Sequence, residues 1–164
     1  NDIVIASGTL LNGDSNQIAN TTNLVLSGGT YDTGGEDEVL GTLTLTADST
    51  IDLNDSLGGG DSILRFAASK GETWTGTSEL TITGWSGDIS GGGTDQVYFG
   101  DGSCGLLGSQ VSQIYFLDPD GYDPGTYIST ILTTGEVVPV IPEAGSWIAL
   151  TTLFLLFFGR RRRS

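Results

Sequence analysis

Short runs in which hydrophobic and polar residues alternate recur through most of this chain. Alternation with a period of two is typical of strands that bury one face. The residues expected to face inward are Leu24, Leu26, Leu43, Leu45, Leu64, Phe66, Leu80, Ile82, Val97 and Phe99. The pattern therefore predicts an all-β protein.

The strongest runs return at a regular interval, marked by Ile5, Leu26, Leu45, Phe66, Ile82, Phe99 and Phe116. The interval of roughly 16 to 21 residues is a repeat signal. Glycine clusters between the runs supply the positive φ angles of tight corners. This favours a right-handed parallel β-solenoid (β-helix), in which each repeat adds one stacked coil. The alternative, an antiparallel sandwich, requires hairpin turns between adjacent strands.

The segment 106–114 has helical spacing, with Leu107, Val111 and Ile114 on one face. We expect a short helix there that caps one end of the solenoid. Residues 127–132 and 137–138 are candidates for a last pair of strands. The predicted divisions are a β-solenoid ectodomain at 1–134, a linker at 135–143, and a tail at 144–164.

The tail joins an apolar run, 147–158, to four consecutive arginines. An apolar segment that abuts a polybasic end is typical of a membrane stop signal with the arginines on the cytoplasmic side. The pattern predicts a single C-terminal transmembrane helix that begins near Ala144, with the preceding residues exported. Since this sequence contains no methionine, a secretory signal peptide is expected upstream of it.

Pro142, Glu143 and Ala144, the apolar run, and the cluster of Arg160, Arg161, Arg162 and Arg163 together resemble the PEP-CTERM sorting signal of Gram-negative bacteria. Ala144 stands where that family has a second proline. The resemblance implies insertion in the inner membrane, cleavage near Pro142 and Glu143 by the membrane peptidase exosortase, and delivery to the cell surface or the exopolysaccharide (biofilm) matrix. The repeats around 42–53 also look like those of autotransporter passenger domains.

The charge is strongly acidic, because 20 acidic residues face 6 basic ones and only Arg65 and Lys70 precede the tail. Such a surface repels phosphates, so nucleic-acid binding is excluded. Glu36, Asp37 and Glu38 are expected to form a solvated acidic loop. Cys104 is alone, and we expect it to be a small buried or half-buried thiol.

Catalytic chemistry is poorly supplied. The chain has no histidine, which excludes Ser-His-Asp and Cys-His nucleophiles and all histidine-bearing metal sites. Carboxylate pairs such as Asp52 with Asp55, or Asp95 with Asp101, are the remaining possibility for a polysaccharide-active enzyme, but nothing distinguishes them from turn aspartates. The prediction is therefore a protein without catalysis and without a cofactor.

Asp118, Asp120 and Asp123 surround a glycine and resemble half of a calcium loop. An EF-hand would need a glutamate where this chain has Ser129. A plain turn is the simpler interpretation, and a weak extracellular calcium site is the alternative.

Tyr98 and Tyr115 occupy outward positions about one repeat apart. Such rings suit stacking on sugars, which would make the protein a carbohydrate-binding module. An outward aromatic ladder that stabilises neighbouring strands is the alternative. Taken together, the residues predict a non-enzymatic structural or adhesive protein of the surface or matrix, with extracellular polysaccharide as a possible partner.

Overall fold

The computed structural model describes residues 1–54, 57–58 and 60–142, which form thirteen strands and one short helix. The strands are β1 (Asp2–Ile5), β2 (Thr9–Leu11), β3 (Asn23–Ser27), β4 (Thr30–Asp32), β5 (Glu38–Leu40), β6 (Leu43–Ala47), β7 (Ser49–Asp52), β8 (Ile63–Phe66), β9 (Leu80–Thr83), β10 (Gln96–Phe99), β11 (Ile114–Leu117), β12 (Thr126–Ile131) and β13 (Glu136–Pro139). The helix α1 (Gly108–Val111) lies between β10 and β11.

The strands form two sheets. A three-stranded parallel sheet has the order β1-β3-β6. The other sheet has ten strands in the order β2-β4-β7-β9-β11-β12-β13-β10-β8-β5 and curls into a half-barrel. Its two parallel portions are joined by β12 and β13, which pair antiparallel with each other and with their neighbours.

The predicted right-handed parallel β-solenoid is wrong. Ile5, Leu26 and Leu45 do occupy successive register positions in the small sheet. Phe66 does not continue that column, because β8 pairs with β5 and β10 in the ten-stranded sheet. The antiparallel strands β12 and β13 then merge the two parallel portions into one mixed sheet. Alternation in the sequence indicates which face of a strand is buried, but it does not specify the neighbouring strand.

The inward positions predicted from the alternation are confirmed. All ten residues are buried in one continuous core with Trp74, Trp85 and Phe116. The rings of Phe66 and Phe99 stack at 5.1 Å between centroids, and Trp85 meets Phe116 edge-on at 5.5 Å. This core contains residues of both sheets.

The predictions for residues 106–164 are confirmed only in part. The helix expected within 106–114 is only the single turn α1, and Ile114, which was predicted to share a helical face with Leu107, lies in β11 instead. The last pair of strands is present as β12 and β13. The strand β13 occupies part of the segment 135–143 that the sequence had suggested as a linker. The predicted transmembrane helix at 144–164 lies outside the described residues. The helix present in the described part of the chain, α1, has four residues and is far too short to span a bilayer.

Two expectations about single segments are also wrong. Cys104 is exposed rather than buried. Glu38 does not lie in a solvated loop, because it is fully buried in β5. Its carboxylate accepts hydrogen bonds from the N–H groups of Gln17 and Ile18 at 3.0 and 3.1 Å.

Candidate functional site

An acidic cleft of about 480 Å³ opens beside the buried indole of Trp85. Four carboxylates among the described residues line it: Asp61, Asp95, Asp118 and Asp120. They come from three separate segments, which the ends of β8, β10 and β11 bring together.

Asp95 is buried at the wall of this cleft and joins two loops. Its carboxylate accepts hydrogen bonds from the N–H groups of Ser62 at 3.1 Å and Ser86 at 2.9 Å. Burial raises the pKa of Asp95, and the charge of Asp61 adds to the rise, while the two N–H donors oppose it. A carboxylate with both oxygens engaged in this way serves first as a structural acceptor.

The residues predicted to bind calcium are placed differently from a calcium loop. Asp118 has a left-handed φ of 48°, and its carboxylate accepts the Gly125 N–H at 2.7 Å. Asp118 and Asp120 line the cleft, but Asp123 is not among its lining residues. Among the described residues, no group of three or more acidic or cysteine side chains is arranged to hold a metal ion.

The aspartate pairs considered for glycoside chemistry are not brought together within the described residues. Asp52 is held in a turn by Asn54 and by the Thr83 hydroxyl at 3.0 Å. Its suggested partner Asp55 lies outside the described residues. Asp95 and Asp101 line two different clefts.

A second cleft of about 460 Å³ contains Arg65, Tyr98, Asn20 and Asp101. The Arg65 guanidinium carbon lies 3.9 Å from the centroid of the Tyr98 ring, so a cation already covers one face of that ring. The Tyr98 hydroxyl donates to the Gln96 side-chain oxygen at 2.6 Å, and only 9% of the residue is exposed. Little of the ring is therefore left to stack on a sugar.

Tyr115 does not complete a sugar-stacking surface with Tyr98. It lies in β11, and both β12 and β13 separate that strand from β10. Tyr115 instead extends a row of register partners formed by Thr30, Thr50 and Thr81 on neighbouring strands. The arrangement matches an outward side-chain ladder better than a paired aromatic platform.

Glu136 was not found by sequence reasoning, although it is the buried acid nearest to Tyr98 in register. One of its carboxylate oxygens accepts the Gly92 N–H at 2.8 Å. Burial raises the pKa of Glu136, while the Gly92 N–H and the positive charge of Arg65 oppose the rise. Its burial depends on the loop containing Gly91 and Gly92, which lies against Glu136. No local pattern around residue 136 reveals this contact.

No known protein family, curated protein or solved structure matches this chain. The function is therefore inferred from the residues and their geometry.

We expect the free energy of unfolding to rise when the pH is lowered from 7 toward about 5. Asp95 and Glu136 have raised pKa values in the folded state, whereas the unfolded chain has ordinary values near 4. Between those values the folded state binds more protons than the unfolded state, so stability increases as the pH falls. Relief of repulsion among the many acids acts in the same direction. Urea unfolding followed by tryptophan fluorescence at both pH values measures the change.

The variant Glu136→Gln separates the two causes. It removes one titrating group with a raised pKa and changes the net charge by a single unit, so the slope of stability against pH should become shallower. A fall in the stability of the unaltered protein between pH 7 and pH 5 would contradict the expectation.

Proposed function

We propose that this protein is a non-enzymatic structural or adhesive component of the cell surface or extracellular matrix. The observation that carries the proposal is that its carboxylates accept hydrogen bonds from backbone N–H groups elsewhere in the chain. Asp37 accepts the N–H of Ile63 at 2.8 Å, and Asp48 accepts that of Glu79 at 2.9 Å. These bonds join segments that are distant in sequence, so these acidic residues stabilise contacts between different parts of the fold.

Carboxylates held in this way are poorly suited to catalysis. A general acid or base must reach a substrate atom and exchange a proton with it. Asp95 has the raised pKa that a general acid needs, but both of its oxygens face backbone donors of the protein. Burial and the nearby charge of Asp61 account for its raised pKa without a substrate.

The remaining acids give the surface a strong negative charge, which favours a hydrated, soluble material over contact with phosphates. The proposed route to the outside rests on the resemblance of the C-terminal residues to a PEP-CTERM signal. Pro142, the last described residue, is exposed and follows shortly after β13. Its exposure is consistent with access by a processing peptidase.

Mass spectrometry of the protein recovered from a Gram-negative host that has an exosortase tests this route. We expect the extracellular fraction to contain chains that end near Pro142. The double variant Pro142→Ala, Glu143→Ala should accumulate as the unprocessed chain in the cells. Recovery of the unaltered protein from the cytosol with its terminus intact at Ser164 would overturn the proposed localisation.

Incubation of the purified protein with bacterial polysaccharides tests the absence of catalysis. We expect no increase in reducing ends or unsaturated sugars over time. Sustained release that Asp95→Asn abolishes, while Asp101→Asn does not, would establish an enzyme of the acidic cleft and refute the structural role.

A further inference from the structure

The outward side of the ten-stranded sheet changes from polar to apolar where its strands become antiparallel. On the parallel strands β4, β7 and β9, the register partners are Thr30, Thr50 and Thr81. The same row continues through Tyr115 and Ile128, because Tyr115 pairs with Thr81 on one side and with Ile128 on the other. The row therefore has a hydroxyl half on the parallel strands and an apolar half on β11 and β12.

Two more side chains belong to the apolar half. The register of β12 with β13 continues to Val140, whose N–H donates to the Ile128 carbonyl at 2.8 Å, so these two residues are direct neighbours. Leu117 follows Tyr115 by two positions in β11 and therefore points to the same side of the sheet. Ile128, Leu117 and Val140 are 59%, 40% and 39% exposed. We call the surface formed by Tyr115, Leu117, Ile128 and Val140 the β12 face.

The β12 face is uncharged, although the chain has 20 acidic residues. Neither β11 nor β12 contains a charged residue. The acid of β13, Glu136, is buried and accepts the Gly92 N–H. Asp118 follows β11, but its carboxylate accepts the Gly125 N–H. Apolar side chains that cluster at the surface without charge are typical of contact with another protein or with a membrane.

The position of the β12 face along the chain indicates which of these it meets. Ile141 and Pro142 are the last described residues after Val140, and the predicted transmembrane helix begins near Ala144. Four residues of extended chain span at most about 14 Å. A tail inserted in the membrane therefore holds Val140 close to the point at which the chain enters the lipid.

We propose that the β12 face lies on the lipid surface while the tail is inserted in the membrane. This inference rests on the proposed insertion of residues 144–164 and adds the side on which the domain meets the bilayer. Tyrosine favours the membrane–water interface, where its ring contacts apolar groups and its hydroxyl remains in water. The three aliphatic side chains add apolar area to the contact. So small a surface would bind lipid weakly by itself, but the short connection to the tail supplies a high effective concentration.

Charge determines which lipids favour this contact. The described residues include two basic side chains, Arg65 and Lys70, among many acids, so an anionic membrane repels the domain and salt screens the repulsion. We expect the contact to be closest on vesicles of zwitterionic phosphatidylcholine. It should weaken when phosphatidylglycerol is added and recover when the salt concentration is raised. A contact formed by opposite charges would show the reverse dependence.

Quenching of a site-specific fluorophore by lipids that carry a headgroup-level nitroxide tests the contact. The full-length chain is reconstituted in phosphatidylcholine vesicles in a Cys104→Ser background. A label on Ile128→Cys should lose most of its fluorescence, whereas one on Leu11→Cys should keep it. Leu11 is the matched control, because it is 43% exposed on the same sheet, and β4, β7, β9 and β11 separate its strand from β12. Equal quenching at the two positions would overturn the proposal.

Flotation of the same vesicles separates this proposal from the one on which it rests. Protein that does not float with the vesicles would refute insertion of the tail, and the proposed contact with it. Protein that floats, but whose label at position 128 remains unquenched, would refute the contact of the β12 face alone and leave the proposed anchoring intact.

The variant Ile128→Asp tests whether the apolar side chain itself causes the contact. With the label on Val140→Cys, we expect Ile128→Asp to float as before but to lose quenching, because a charged side chain is disfavoured in the lipid interface. Ile128→Leu should retain quenching. Quenching that persists in Ile128→Asp would show that the connection to the tail alone holds the domain near the lipid, and it would overturn the proposal. Thermal unfolding of each variant verifies that it is folded.

Discussion

Replacing Gly105 with alanine is expected to destabilise the protein by about 3 kcal/mol or more. A Cβ atom at this buried position would overlap the carbonyl oxygen of Phe99. The backbone cannot yield easily, because the Gly105 carbonyl accepts the Ser69 N–H at 2.8 Å. Phe99 is fixed in turn by β10 and by the stacked ring of Phe66. The added methyl group must therefore displace a strand of the core rather than a flexible side chain.

Urea unfolding of Gly105→Ala against Gly76→Ala measures this effect. Gly76 is exposed, has no positive φ, and would place its Cβ in open space. We expect the control to change stability by no more than about 0.5 kcal/mol. A Gly105→Ala variant as stable as the control would show that the segment near Phe99 adapts without cost.

Gly105 illustrates what the sequence reveals about glycine and what it does not. The glycine clusters predicted corners with positive φ, and Gly34, Gly58 and Gly91 adopt such angles. Gly105 does not have a positive φ. A glycine is required there because the backbone passes close to Phe99 of β10. That contact depends on tertiary packing and leaves no local signal in the sequence.

The strand faces were predictable, but the strand partners were not. Leu64 and Phe66 face the core as the alternation indicates, because a period of two fixes the side of the sheet. The same residues were assigned to the wrong neighbours, since β7 and β8, although consecutive in the sequence, lie in different parallel portions of the ten-stranded sheet. Neither hydrophobic pattern nor repeat length contains that information when the repeats differ in length and turn composition.

The candidate site was predictable only in its parts. The sequence identified Asp118 and Asp120 as a turn with carboxylates, and both line the acidic cleft. It gave no reason to place Asp61 and Asp95 beside them, because those residues are brought there by pairing of β8 with β10. The assembly of acids from separate segments is a property of the topology.

Replacing Glu38 with alanine is expected to lower the free energy of unfolding by about 3 kcal/mol. The loop between β2 and β3, which contains Gln17 and Ile18, should be affected most. Glu38 is the register partner of Leu64 and so occupies an inward position in the sheet. One carboxylate oxygen accepts the N–H groups of Gln17 and Ile18, and the other accepts that of Val39 at 3.1 Å. Hydrogen bonds to a charged group contribute about 1.5 to 3 kcal/mol each, and removal of the acceptor leaves part-buried donors without a partner. Urea unfolding measures the total, and amide exchange at Gln17 and Ile18 should accelerate.

Two further variants test whether the effect is specific to the buried carboxylate of Glu38 or follows from the loss of any acidic side chain. Glu38→Gln retains an oxygen for Gln17 and Ile18 but turns an amide donor toward the Val39 N–H, so it should lose less stability than Glu38→Ala. Glu36→Ala removes only an exposed hydrogen bond to the Ser15 hydroxyl, and a change within about 0.5 kcal/mol is expected. If Glu38→Ala and Glu36→Ala behaved alike, Glu38 would be no more important than a surface acid. The predicted difference arises because Glu38 turns inward in β5, where three backbone N–H donors surround its carboxylate, whereas the Glu36 carboxylate accepts only an exposed hydrogen bond from the Ser15 hydroxyl.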